Sequence, residues 1–265
     1  MSRDFPMTFT LNLAAQHFEG HRHFIGTITP SGNTVVERIT LGVLRELPAV
    51  SAHFSRTPVS GSVDPSPTAY ALDGLLAAAR LLAHAKPDVL VWNGSKGVGI
   101  GFEHDRALAQ RISAETGVAT TTSVLGLDAL LQSRGMRRLA VISPYTATSQ
   151  QKALDCLVAE GYEVVAEAHS GLSDNLSYAS VPLPAIADMA RLVARSNPQV
   201  IISLCTNFPA AVMAAPMEAE LGIPVYDTTA LGVWHAMLLA GVDASAAAPL
   251  WGSLFSQSLP RPNPF

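Results

Sequence analysis

The sequence predicts an α/β fold of repeated βα units, on three observations. Short β-branched or apolar runs alternate with Ala- and Leu-rich stretches of helical length. Several of those stretches close on a glycine, Gly117, Gly135, Gly161 and Gly222, with the next strand or its lead-in following at once. At 265 residues and 48% hydrophobic, the chain can bury a large core as one big domain or two ordinary ones. The strands are expected at FIGTIT (24–29), DVLVW (88–92), RLAVIS (138–143), EVVAEA (163–168), QVIISL (199–204) and PVYDTT (224–229). Helices are expected at 69–85, 104–116, 124–134, 148–160, 184–196 and 209–221.

In an open parallel sheet, ligands bind outside the carboxyl ends of the strands, so the loops there carry the functional signal. Four have unusual polar chemistry: PSGNT (30–34), NGSKGVGIG (93–101), SPYTATS (143–149) and CTNFP (205–209). A fifth polar stretch, SDNLSY (173–178), follows the strand at 163–168. Their spacing suggests two halves of similar layout, around 24–120 and 138–228, although no internal repeat is visible in the sequence.

Seventeen Lys plus Arg stand against 21 Asp plus Glu, a formal net charge of −4, with no run of like charges. That argues against nucleic acid or an anionic membrane as the main partner. Neither the N-terminal stretch nor any later one has the apolar length of a signal core or a membrane span, so a cytoplasmic protein is expected. The two cysteines are then expected to stay thiols. Oligomeric state is open, a homo-oligomer included. The tail from about 241 can pack on the first half of the chain or on a second subunit.

NGSKGVGIG invites a phosphate-binding reading, but its glycines and Lys96 fit neither the Walker spacing nor G-x-G-x-x-G. A carboxylate is the better match, cradled by backbone amides and the Ser95 hydroxyl. Cys205 ends an apolar strand just before a helix expected to begin at Pro209, where N–H groups and the helix dipole lower a thiol pKa. A proton carrier and a small buried hydrophobe are both open readings of it. Cys156, in mid-helix, reads as packing. Tyr145 can donate to a substrate oxygen, and Asn33 and Asn175 can do so or act as turn and cap residues. No metal-ligand spacing and no G-x-S-x-G elbow occurs, so neither a catalytic metal nor the commonest serine hydrolase is expected.

Taken together, PSGNT, SPY, SDNL and SLCTN resemble, in order, the loops of the aspartate/glutamate racemase superfamily, in the branch of maleate cis-trans isomerases and arylmalonate decarboxylases. The resemblance covers about 24–235. It implies two pseudo-symmetric Rossmann-like lobes, each a parallel sheet flanked by helices, with the active site between them. The first lobe would take 1–121 and 231–265, the second 122–230. It also implies no cofactor, and a small carboxylic acid substrate held by backbone amides, hydroxyls, Tyr145 and asparagines.

The chain departs from the racemases and isomerases at one position. Where they carry a first-lobe cysteine, DVLVWNGSKG places Gly94, as the decarboxylases resemble. Loss of CO2 from a malonate leaves an enediolate, whose oxygens need donors. Ser95, Tyr145 and the N–H groups around Cys205 and Thr206 can supply them, with Cys205, at a pKa tuned toward neutral, delivering one proton to one face. The expected activity is therefore a cofactor-independent carboxy-lyase acting on a substituted malonate or related diacid. The alternative is a maleate isomerase-like or racemase-like isomerase in which Lys96 is the nearby candidate for a second base. Lys96 otherwise points to solvent or binds a second charged group on the substrate. Gly94→Cys is expected to introduce some racemase activity.

Overall fold

The structure is a computed structural model, and it describes residues 23–59 and 69–258. The start of the chain, on which the expectation about a signal core rests, and the proline-rich end of the tail lie outside these residues.

Among the described residues, eight strands form two four-stranded sheets, all neighbours parallel. The first contains β1 (His23–Pro30), β2 (Val50–Thr57), β3 (Val89–Trp92) and β4 (Thr120–Thr122), in the order β2-β1-β3-β4. The second contains β5 (Arg138–Ser143), β6 (Glu163–His169), β7 (Val200–Ser203) and β8 (Val225–Asp227), in the order β6-β5-β7-β8. The two orders are the same order. β3 and β7 are buried along their whole length, as strands covered on both faces must be, and accordingly read as continuous apolar runs.

The helices of the first half are α1 (Val36–Leu44), α2 (Leu72–Ala83), the single turn α3 (Gly97–Ile100), α4 (Phe102–Thr116) and α5 (Ser123–Ser133). Those of the second are α6 (Ala147–Ala159), the single turn α7 (Asn175–Tyr178), α8 (Leu183–Ala194), α9 (Ala214–Leu221) and α10 (Thr228–Leu239), with the short α11 (Ala248–Trp251) beyond. Gly117 and Gly222 close α4 and α9 at φ +71 and +66, a left-handed turn open to glycine at little cost. The helices that follow β4 and β8 are capped alike. The Thr122 side chain accepts from Leu125 N–H, and the Asp227 side chain accepts from Thr229 and Ala230 N–H.

Three differences from the sequence reading stand out. β2, β4, α1 and α10 were not expected. Thr228 and Thr229, expected to end a strand, open α10 instead, because Asp227 caps the helix. The helix expected to begin at Pro209 is a 3-10 turn (Ala211–Met213) followed by α9 from Ala214, so Cys205 has no α-helix immediately behind it.

A central apolar cluster draws on both sheets, through β3 and β7 with α5 and α10, while a second cluster lies under α8 and a third under α2 and α4. The tail touches both halves. Trp251 packs on Gly42 of α1, Ser253 N–H and Oγ donate to Glu218 of α9, and Trp234 Nε1 donates to the Gln257 carbonyl.

Candidate active site

The matched topology makes the loops after β3 and β7 equivalent. Trp92 pairs with Ile28 as Ser203 pairs with Ile142, and the next N–H in each loop donates to that same residue: Asn93 to Ile28 at 3.0 Å, Leu204 to Ile142 at 2.9 Å. Position 94 is therefore the counterpart of position 205. One lobe presents Gly94 and the other Cys205, and both line one cavity of about 530 Å³.

Of the eight residues singled out from the sequence, seven line this cavity: Gly94, Ser95, Lys96, Tyr145, Asn175, Cys205 and Thr206. Asn33 does not. Its Oδ1 accepts from Val35 and Val36 N–H at 2.8 Å each, capping α1, and its Nδ2 donates to Thr206 Oγ1 at 3.3 Å. It holds the Thr206 side chain from behind. Asn175 Nδ2 is buried and has no hydrogen-bond partner among the described residues, a donor that an incoming oxygen would satisfy.

Tyr145 joins the lobes. Its hydroxyl lies 3.2 Å from Ser95 Oγ and against the Cys205 thiol, and its ring meets Tyr178 edge-on at 5.8 Å. Burial holds its hydroxyl protonated, well above the usual tyrosine range, so it is a donor at neutral pH.

Cys205 differs from the sequence expectation in its acidity. Burial pushes the thiol up to about 12, against the lowering effect of the Asn207 backbone N–H and the Tyr145 hydroxyl. The expected helix dipole is missing because α9 begins nine residues later. The residue sits at φ +87, where a non-glycine backbone is strained by about 1–3 kcal/mol. Cys156 lies in α6, half-buried and outside the cavity lining.

Lys96 lies in the cavity wall, partly buried. Its Nζ donates to the Ala69 carbonyl and lies 5.5 Å from the Tyr70 ring centre, and burial lowers its pKa. Tyr70 in turn donates to Asp105 Oδ2 at 2.8 Å and meets Trp92 edge-on at 6.1 Å. The wall so formed continues through Pro58, Val59, Leu75, Val98 and Ile100. Among the described residues no Asp, Glu, His or Arg lines the cavity, while Lys96 and Lys152 do, so the site suits an anion with an apolar substituent.

Three residues not singled out from the sequence fix the cavity loops. Asn207 Oδ1 accepts from Thr34 N–H at 2.9 Å and its Nδ2 donates to the Asn175 carbonyl at 2.5 Å. Asn93 Nδ2 donates to the Thr229 carbonyl at 3.1 Å, and Thr229 Oγ1 donates to the Thr206 carbonyl at 3.1 Å. Asn207 was visible as a polar residue in CTNFP; nothing in the local spacing points to Thr229.

Two equivalent loops, one bearing a thiol and the other a glycine beside a hydroxyl pair, define a two-lobed α/β site. Comparison with known proteins agrees with that class. The sequence model of the family described as arylmalonate decarboxylase matches residues 62–255, and the chain belongs to this family. It is 26% identical over 241 residues to the maleate isomerase of Nocardia farcinica (strain IFM 10152), covering 88% of this chain and 95% of the relative. Identity to the arylmalonate decarboxylase of Bordetella bronchiseptica is 24% over 237 residues, covering 88% and 97%. The relatives named are enzymes of both kinds. Among solved structures, Nocardia farcinica maleate cis-trans isomerase carrying a covalent succinylcysteine superposes with a TM-score of 0.81 at 21% identity, covering 89% of this chain and 99% of that one. A Gly→Cys, Cys→Ser double mutant of arylmalonate decarboxylase does so at 0.78 and 22%, covering 89% and 100%. These likenesses give the α/β fold.

Proposed function

We propose that the chain is a cofactor-independent carboxy-lyase that decarboxylates a substituted malonate or related diacid, with Cys205 protonating the enediolate. The observation that carries this reading is a lone cavity thiol, facing a glycine and held protonated by burial up to about 12. A thiol of that kind is an acid at neutral pH. It is poorly suited to begin a reaction as base or nucleophile.

In this reading the retained carboxylate accepts hydrogen bonds from Ser95 Oγ, Tyr145 Oη and Asn175 Nδ2. The other carboxylate leaves as CO2 when its bond to the α-carbon breaks, and the electron pair enters the enediolate, whose growing charge those donors stabilise. Cys205 then gives its proton to the α-carbon, and water reprotonates the thiolate. The substituent rests on Trp92, Tyr70 and Val98, which keep water from that side. Catalysis of this kind takes no electron and no added group, only one proton in and one CO2 out.

An isomerase acting on a small unsaturated diacid has the 26% identity to a maleate isomerase on its side. It needs a second base or nucleophile opposite Cys205. Gly94 offers none, and Lys96 is engaged with Ala69 and Tyr70.

Incubation with phenylmalonate and with maleate in D2O, followed by NMR, separates the two. The lyase reading expects CO2 and one deuterium at the α-carbon from the malonate, and no fumarate from maleate. Fumarate formation, or α-exchange without CO2, would overturn it.

A further inference from the structure

We infer that Trp92 determines the reaction specificity of the site, because its indole fills the space that a side chain at position 94 would need. A Cβ built on Gly94 would lie 2.4 Å from Trp92 Cζ2, 2.5 Å from Cε2 and 3.0 Å from Cη2. Real Cβ atoms do not approach ring carbons that closely, so either the ring or the loop would have to move.

The ring is poorly placed to move. It is 3% exposed, lies in the apolar cluster under α2 and α4, and is braced edge-on by Tyr70, whose hydroxyl is fixed to the buried Asp105. Lys96 Nζ, from the loop after β3, lies 5.5 Å from the Tyr70 ring centre. The brace therefore runs from Asp105 through Tyr70 to Trp92.

The second lobe holds the same pair with the sizes exchanged. Ser203 is the counterpart of Trp92 and Cys205 the counterpart of Gly94. Large then small in one lobe faces small then larger in the other. Positions 92 and 94 are thus coupled by volume, and the first lobe admits no thiol while the indole is in place. On this inference Gly94→Cys alone is not expected to yield a second working thiol in this chain, in contrast to the expectation from the sequence. The packing claim stands by itself; its catalytic consequence rests on the single-thiol reading above.

A double-mutant cycle tests the coupling. Gly94→Cys is made in the native chain and in a Trp92→Ser background, and Tm is measured for all four proteins. In the native chain Gly94→Cys should lower Tm by roughly 2–10 °C, the scale of overpacking in a protein of this size. In the Trp92→Ser background it should cost nothing further. An equal loss in both backgrounds overturns the proposal. Trp92→Leu, which shortens the side chain and keeps the site apolar, replaces Trp92→Ser should that protein fail to fold.

The same four proteins are then given the α-deuterated monoacid product in H2O. With the indole shortened, the new thiol at 94 can take the α-deuteron as thiolate while Cys205 returns a proton to the opposite face. Exchange at least tenfold faster than in Gly94→Cys alone is expected. Coupling in Tm without exchange would support the steric pairing and overturn the proton-transfer role of Cys205.

Discussion

In the proposed lyase, Cys205 works by being kept dry. Burial raises its thiol to about 12 and outweighs the Asn207 N–H and Tyr145 hydroxyl that pull the other way, so on that reading the proton stays until a carbanion takes it. Cys205→Ser, which keeps the size and replaces the acid with a far weaker one, is expected to lower turnover by about 10²–10⁴-fold. Cys156→Ser should leave steady-state rates close to native, and a comparable loss there would reassign the two thiols. Asp105 offers a separate prediction about pH. Burial pushes its carboxyl up to about 7, against the lowering by Thr122, Tyr70 and Arg106. The folded chain therefore binds a proton that the unfolded chain releases near pH 4, and the stability this gives is present below about 4 and lost as pH rises through about 7. Asp105→Asn removes that dependence, so its Tm relative to native should climb between pH 5 and pH 8; a constant difference would contradict the assignment. Cys205, Tyr145 and Asn175 could be picked from the sequence because each is a polar residue in a loop after a strand. Tyr70 and Trp92 could not. Trp92 ends an apolar strand and Tyr70 precedes a helix, both ordinary core positions, and only the close approach to Gly94 shows what they exclude.

At the scale of elements, α10 ties the loops after β3 and β7 together, through the Asn93 bond to the Thr229 carbonyl and the Thr229 bond to the Thr206 carbonyl, and α10 itself crosses α5 closely. Gly126 of α5 sits where a Cβ would lie 2.9 Å from the Leu231 carbonyl and 3.0 Å from His235 Cβ. Gly126→Ala should cost about 1–3 kcal/mol by forcing the helices apart, measurable by urea denaturation; a neutral outcome would show that the crossing is looser than described. This crossing was also the part of the fold hardest to read. α10 is buried almost all round, from Thr228 to Met237, so its sequence shows no polar face and no 3.6-residue rhythm. β4 is three threonines, too short for any pattern. β2 sits at the sheet edge and is half-exposed along most of its length, which allows Ser51, His53 and Ser55 where an inner strand would be apolar. The inner strands β3, β5 and β7 were legible because burial on both faces gives them apolar stretches such as Val89–Trp92, Leu139–Ile142 and Val200–Ile202.

At the scale of the whole molecule, two sheets of identical order bring equivalent loops to one cavity, and the pseudo-symmetry is broken inside that cavity, at Gly94 and Cys205. The bonds from Asn33 to Thr206 and from Thr34 to Asn207 bridge the halves beside that cavity. Asn207→Ala leaves Thr34 N–H and the Asn175 carbonyl without their partners, and should cost about 1–3 kcal/mol of stability. Turnover should fall as well, since the loops of the two lobes are no longer held in register. Native turnover in a less stable Asn207→Ala protein would show that the bridge serves folding alone.

The most direct measurement is the stereochemistry of one turnover. A prochiral methyl(phenyl)malonate is decarboxylated in D2O, and the monoacid is examined for deuterium and for handedness. With Cys205 as sole acid on one face, the product is one enantiomer with one α-deuterium, and returning it to the enzyme in H2O washes none out. A racemic product, or loss of that deuterium on return, would contradict the single-thiol account.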